Sequence, residues 1–103
     1  MLGSVPDVVN QLLATEAALD KLGVRGISAA EAQQAIWNRH VLIRNRRGSA
    51  LRSQRELRRL LIGRNDGGRR LTLVIEETVE PTTWLLITGW ASTPVERMIL
   101  EKS

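Results

Sequence analysis

Between Arg58 and Trp90 the chain alternates aliphatic runs with turn signals, and this stretch restricts the fold more than any other. Arg58-Arg59-Leu60-Leu61-Ile62-Gly63-Arg64 is followed by Asn65-Asp66-Gly67-Gly68 and then by the run from Arg69 to Thr78. A second turn through Glu80-Pro81-Thr82-Thr83 leads into Trp84 to Trp90. Asp-Gly and Pro at the breaks, with β-branched and aliphatic residues between them, predict an antiparallel meander of strands over Arg58–Arg64, Arg69–Thr78 and Thr83–Trp90. In the middle strand Leu71, Leu73 and Ile75 share one parity, and Arg70, Thr72, Val74 and Glu76 share the other. Successive side chains alternate faces, so the apolar parity is expected on a core and the mixed parity against solvent or a partner. The mixed face is where function is expected.

Ahead of the meander, Val9, Leu12, Leu13 and Leu19 fit a helical stripe with Asp7 as its cap, while Val8 to Leu13 fits a short strand equally well. Thr15 caps a helix over Glu16 to Leu22 that Gly23 ends. Ser28-Ala29-Ala30-Glu31 has the form of a capping box. The helix after it turns Ala32, Ala35 and Ile36 inward and Gln33 and Gln34 outward, and stops near Trp37-Asn38. His40 to Arg44 reads as a strand, and residues 45–56 as a basic, mobile loop of a length often tied to function. Thr93-Pro94-Val95-Glu96 is a second capping box with proline at the first helical position, and Val95, Met98 and Ile99 form the apolar stripe of a terminal helix. The sum is one α+β domain over residues 1–103: a small antiparallel sheet of three to five strands, with two N-terminal helices and one C-terminal helix packed on it. Leu71, Leu73 and Ile75 are expected to be buried against the helices beginning at Ser28 and Pro94.

Charge is distributed unevenly. Eleven arginines face two acids between Arg39 and Arg70, a net +9, whereas the rest of the chain is net −5 within a total of +4. Arginine outnumbers lysine thirteen to two, and its planar fork suits phosphate and carboxylate. A genome rich in arginine codons gives the same composition, but confinement to one segment points to a polyanionic partner. No cysteine and a single histidine exclude a disulfide scaffold, a thiolate nucleophile and a cysteine- or histidine-rich metal site. No metal and no cofactor are expected. The longest apolar run, Trp84 to Ile87, is far short of a membrane span, and no leader pattern opens the chain. A cytoplasmic protein is expected.

Several segments, in order, resemble the BrnT-type toxins of the RelE/ParE-like superfamily. Lys21-Leu22-Gly23-Val24, with Ile27-Ser28 and Glu31-Ala32, is similar to the opening of that family's second helix. Arg59 to Gly63, Gly68-Arg69 and the strand after them resemble its central hairpin, and Ile87 to Thr93 with Glu96-Arg97 resembles its closing strand and helix. The chain departs from the pattern at Leu22 and Trp90, where the family has a histidine and an arginine, and lacks the tryptophan of the opening strand. The resemblance implies a RelE-like fold, a toxin of a bacterial type II toxin–antitoxin system that inhibits translation as an endoribonuclease, and a ribbon-helix-helix antitoxin as partner.

Metal-free RNA cleavage needs an acid–base group and donors for the phosphorane charge, with internal attack by the 2′-hydroxyl leaving a 2′,3′-cyclic phosphate. His40 is the natural proton carrier by its ordinary pKa, or else an exposed residue at a strand start. Arg64 and Arg70, on opposite arms of the hairpin, are candidates for charge stabilisation. Glu76 is a candidate base, or one half of a cross-strand ion pair. Arg44, Arg46, Arg47, Arg58 and Arg69 are candidate RNA contacts. Trp84 and Trp90 are candidate partner-binding residues; by strict alternation both stand on one face with Leu86 and Thr88, and Trp90 could equally be core or stack on a base. Two functions remain in view: a metal-independent endoribonuclease of the toxin type, and a non-catalytic nucleic-acid or protein-binding module on the same fold. A homo-oligomer is left open.

Overall fold

The computed structural model describes residues 8–44 and 57–103. Five strands form one sheet, in the spatial order β1-β5-β4-β3-β2: β1 (Gln11–Ala14), β2 (Val41–Arg44), β3 (Arg58–Arg64), β4 (Arg70–Glu77) and β5 (Thr83–Ala91). β2 to β5 pair antiparallel, as the meander predicts. The run before Thr15 is a strand rather than a helix, and it pairs parallel to β5, with Leu12 opposite Trp84 and Ala14 opposite Leu86. The sheet is therefore mixed, with its single parallel pair at one edge. The expected loop over residues 45–56 lies outside the described residues.

Helices α1 (Glu16–Val24), α2 (Ala29–Trp37) and α3 (Pro94–Lys102) begin where their caps predict. In α2 the Ser28 hydroxyl takes the Glu31 amide and the Glu31 carboxylate takes the Ser28 amide, both at 3.1 Å. Gly23 does not end α1. The helix continues to Val24, and Gly26, at φ +70°, closes it. The Ile27 amide donates to the Leu22 carbonyl and the Gly26 amide to that of Gly23, which is the Schellman pattern.

The register sorts side chains onto two faces, because residues opposite one another across antiparallel strands point the same way. Leu61, Leu71, Leu73 and Ile75 lie on the face covered by α1 and α2, and form the core with Leu22, Ala32, Ala35, Ile36, Trp84 and Leu86. Two glycines let these layers close. A Cβ on Gly63 would stand 2.8 Å from the Ala35 carbonyl oxygen, and one on Gly89 would stand within 3.0 Å of Leu22 and Leu73 side-chain atoms.

Helix α3 takes the opposite face and so does not bury Leu71, Leu73 and Ile75 as expected. It sits over Thr72 and Trp90, which are opposite one another, and both bond to its Glu96. Thr72 and Val74 are consequently buried, so much of the mixed face is a second interior rather than a solvent surface. Of the expected Val95-Met98-Ile99 stripe only Ile99 is partly buried. Val95 and Met98 are 66% and 52% exposed, and α3 buries Leu100 instead, because the Glu96 bonds fix its rotation.

Another departure is in β5. Val74 pairs with Thr88 and Ile75 with Leu86, so Ile87 is an extra residue and the alternation reverses there. Trp84 and Leu86 face α1 and α2, whereas Thr88 and Trp90 face the other way. The two tryptophans do not share a face. Beyond Leu86 the outer edge of β5 has no β1 partner, and Arg25 covers it by donating to the Gly89 carbonyl at 2.8 Å and to Thr88 Oγ1 at 3.1 Å.

The glycines give a stability test of opposite signs. Gly63→Ala meets a backbone oxygen that cannot move aside, and should destabilise the fold by about 1–3 kcal/mol. Gly23→Ala lies inside α1 with nothing within 4 Å of the added Cβ, and should stabilise by about 0.5–1 kcal/mol. Urea unfolding of both variants checks this; equal effects would contradict the packing described for Gly63.

Candidate nucleic-acid interface

The β3–β4 hairpin turns at Asn65 to Arg69. The Asn65 amide donates to the Arg69 carbonyl, the Gly68 amide to the Asn65 carbonyl, and Gly68 takes φ +90°. α2 clamps this turn from the helix side. Asn65 Nδ2 and Arg69 Nη1 both donate to Glu31 Oε2, the Asp66 amide donates to Gln34 Oε1, and Asn38 Nδ2 donates to the Arg64 carbonyl and to Asp66 Oδ1. Arg69 is thus engaged inside the fold, with a further bond to the Gly26 carbonyl. The Ser28 amide above all, with Arg69 and Asn65, holds the Glu31 carboxyl below its ordinary range against the opposing effect of burial.

On the other face of the same hairpin end, Arg64 stands directly opposite Arg70. Like charges directly opposed across a ladder are unfavourable unless something between them is negative. Arg70 Nη2 reaches Glu101 Oε1 at 3.3 Å, and Arg39 Nη2 donates to the backbone oxygen of Ser103 and to its Oγ. The exposed Arg64 guanidinium has no protein partner among the described residues. Arg64 lines a shallow depression with Asn38, Asn65, Asp66, Gly67 and Gly68. Two arginines, from β4 and the α2–β2 connection, therefore meet at the C-terminal turn of α3, and Arg64 of β3 stands opposite one of them.

The other candidates lie elsewhere. Glu76 is opposite Arg58 and accepts from its Nε at 3.0 Å; both are partly buried. This is the cross-strand ion pair, and six residues of strand, about 20 Å, separate Glu76 from Arg70. The His40 Cβ lies 3.1 Å from where a Cβ of Gly63 would be, on the α2 face, while Arg64 follows Gly63 and points the opposite way. His40 Nδ1 is 3.0 Å from the Asn38 carbonyl oxygen, which can only accept, so Nδ1 carries the proton of that bond. Arg44 is exposed opposite Arg59, at the end of the sheet where the chain leaves and re-enters the described residues. Arg46 and Arg47 lie outside those residues.

Trp84 is 3% exposed and donates its indole N–H to the Val8 carbonyl, so it is core and not a docking residue. Trp90 is half-buried and donates to Glu96 Oε1 at 3.0 Å. The same oxygen accepts from the Thr93 amide at 2.8 Å and the Thr72 hydroxyl at 2.9 Å. Burial pushes the Glu96 carboxyl up, but the bonds from Thr93, Trp90 and Thr72 outweigh it and hold the group below its ordinary range.

Trp37, not among the candidates named from the sequence, is 71% exposed on the last turn of α2. Its spacing signals this, since it falls one turn after the outward Gln33 and away from the Ala32-Ala35-Ile36 stripe. Among the described residues no group of His, Cys, Asp and Glu stands together as a metal site, and no helix is long and apolar enough to cross a membrane. In comparisons with protein-family models, curated proteins and solved structures, nothing matches the chain.

The lowered Glu96 carboxyl gives a pH test. Its contribution is complete above the ordinary value of 4.5 and is lost as pH falls through the lower folded value. Glu96→Ala should cost about 2 kcal/mol at pH 7, from a cap and bonds to a charged acceptor. That deficit should shrink in unfolding curves measured progressively below pH 4.5. A deficit independent of pH would mean that the charge contributes nothing.

Proposed function

We propose that this protein is a nucleic-acid-binding module that grips a phosphodiester backbone, of RNA in the first instance, at the Arg39, Arg64 and Arg70 end of the sheet. The carrying observation is the register of Arg64 directly opposite Arg70, with Arg64 unpartnered among the described residues and Arg39 converging on the same helical turn. Such a like-charged pair is stabilised when a phosphate lies between its guanidinium groups. The surplus of arginine through residues 39–70 favours approach of a polyanion to this end. Trp37, exposed two residues before Arg39, adds an aromatic face on which a base can stack.

The ribonuclease of the toxin type, with its antitoxin partner, is the second reading. The same arginine pair is what stabilisation of a phosphorane would use. Against it, His40 and Glu76 are both apart from that pair, so the proton-transfer groups named from the sequence do not join the charge-stabilising ones. Binding alone requires neither.

Titrating a labelled single-stranded RNA over a range of salt concentrations tests the binding reading. Arg64→Ala should weaken binding and reduce the slope of log affinity against log salt by about 0.7, the value for one phosphate contact on a single strand. Its thermal unfolding midpoint should stay near that of the wild type, because an exposed strand charge contributes little. His40→Ala should bind as the wild type does. Unchanged affinity in Arg64→Ala would sink the proposal, and metal-free release of 2′,3′-cyclic phosphate ends by the wild type would favour the enzyme.

A further inference from the structure

Arg39 and Arg70 come from different parts of the chain, yet their guanidinium groups end on one turn of α3. What they meet there is a set of oxygens: the Glu101 carboxylate, the Ser103 backbone oxygen and Ser103 Oγ, the last at 2.8 Å from Arg39. A phosphodiester group presents a similar set to an arginine fork, two non-bridging oxygens that share one negative charge and two bridging ones.

The contact at Arg70 is only half made. Nε and Nη2 form one edge of the guanidinium and suit a bidentate acceptor. Glu101 takes Nη2 alone, through Oε1 at 3.3 Å, and Nε is buried without a hydrogen-bond partner. A buried donor left in this state costs free energy. The ion pair does little to offset it, since its side chains are 37% and 61% exposed and such pairs contribute little. As far as Leu100 the attachment is firm, through Glu96 and that buried leucine, and only Glu101 to Ser103 lie beyond it. The weak point of α3 is therefore its last turn.

We infer that the last turn of α3 is an internal occupant of the arginine site, holding the place of a backbone phosphate and giving it up when a single strand binds. Displacing Glu101 lets both donors on the Nε–Nη2 edge of Arg70 reach phosphate oxygens, while Arg64 approaches from the opposite strand. The helix stays docked through Glu96, so the change is confined to the final turn. This inference rests on the nucleic-acid reading above and adds that the site is partly self-inhibited. Because the phosphate is what is read, single-stranded RNA and DNA of one sequence should respond alike.

Binding of both oligonucleotides is compared for the wild type, Glu101→Gln and Asp66→Asn. Asp66 supplies the control, a carboxylate at the same end of the sheet that meets Asn38 rather than an arginine. Glu101→Gln should bind both about threefold or more tightly than the wild type, the scale of one exposed ion pair. Asp66→Asn should gain less than about half of that, and mainly at low salt, as a through-solvent charge effect does. In the wild type, hydrogen exchange of the Glu101 to Ser103 amides should accelerate when the oligonucleotide binds. Equal gains from the two substitutions, or unchanged exchange in that turn, would overturn the internal-occupant inference while leaving binding by Arg64 intact. Loss of the Arg64→Ala effect would instead remove the nucleic-acid reading beneath it.

Discussion

Ile87 has no opposite number on β4, and the reversal of alternation it causes sets the positions of much that follows. Before it, Trp84 and Leu86 complete the core under α1 and α2; after it, Thr88 and Trp90 turn to the other face. Trp90 there meets Thr72 across the ladder, and the two supply N–H and O–H donors to Glu96 Oε1. Those bonds, with the Thr93 amide, hold α3 against the sheet at a fixed rotation. The rotation brings Glu101 and Ser103 to Arg70 and Arg39. One extra residue in an edge-ward strand is thus linked, through a carboxylate, to the arginine cluster.

The two capping glutamates use one chemistry for two purposes. Glu31 and Glu96 each close a helix start, and each also accepts from a distant element. Glu31 ties the hairpin tip through Asn65 and Arg69, so one of the many arginines is consumed in the fold. Glu96 ties β4 and β5. An ionised carboxylate accepts only, and has enough lone pairs for a cap and a tertiary bond together. The hairpin end that carries Arg64 and Arg70 is consequently fixed from both faces, which lets an arginine pair keep its spacing for a ligand.

The arginines divide by partner rather than by position in the sequence. Arg25 covers a strand edge, Arg58 pairs with Glu76, and Arg69 binds Glu31 and Gly26. Arg64 has no partner among the described residues, and Arg39 and Arg70 meet the last turn of α3. Net positive charge attracts polyanions in general, but the internal partners decide which guanidinium groups are accessible to one.

The sequence by itself determined the helix starts, the turns and the alternation in β4. Each depends on residues within a few positions: a hydroxyl and a glutamate three apart, Asp-Gly at a reversal, a period of two from Leu71 to Ile75. That Arg64 and Arg70 sit on opposite arms of one hairpin was legible too, whereas their direct opposition came with the register, because the turn takes in Arg69 as well. Tertiary structure alone decided which side of the sheet each helix takes, and that Thr72 and Val74 are interior. It also decided that the run before Thr15 pairs parallel to β5, because a short apolar run suits helix and strand alike until a neighbour supplies the bonds. His40 and Glu76 could be named as candidates from their chemistry, but not excluded from the arginine cluster. Their separation follows from opposite faces and opposite ends of one sheet, and a linear sequence shows neither until its strands are paired.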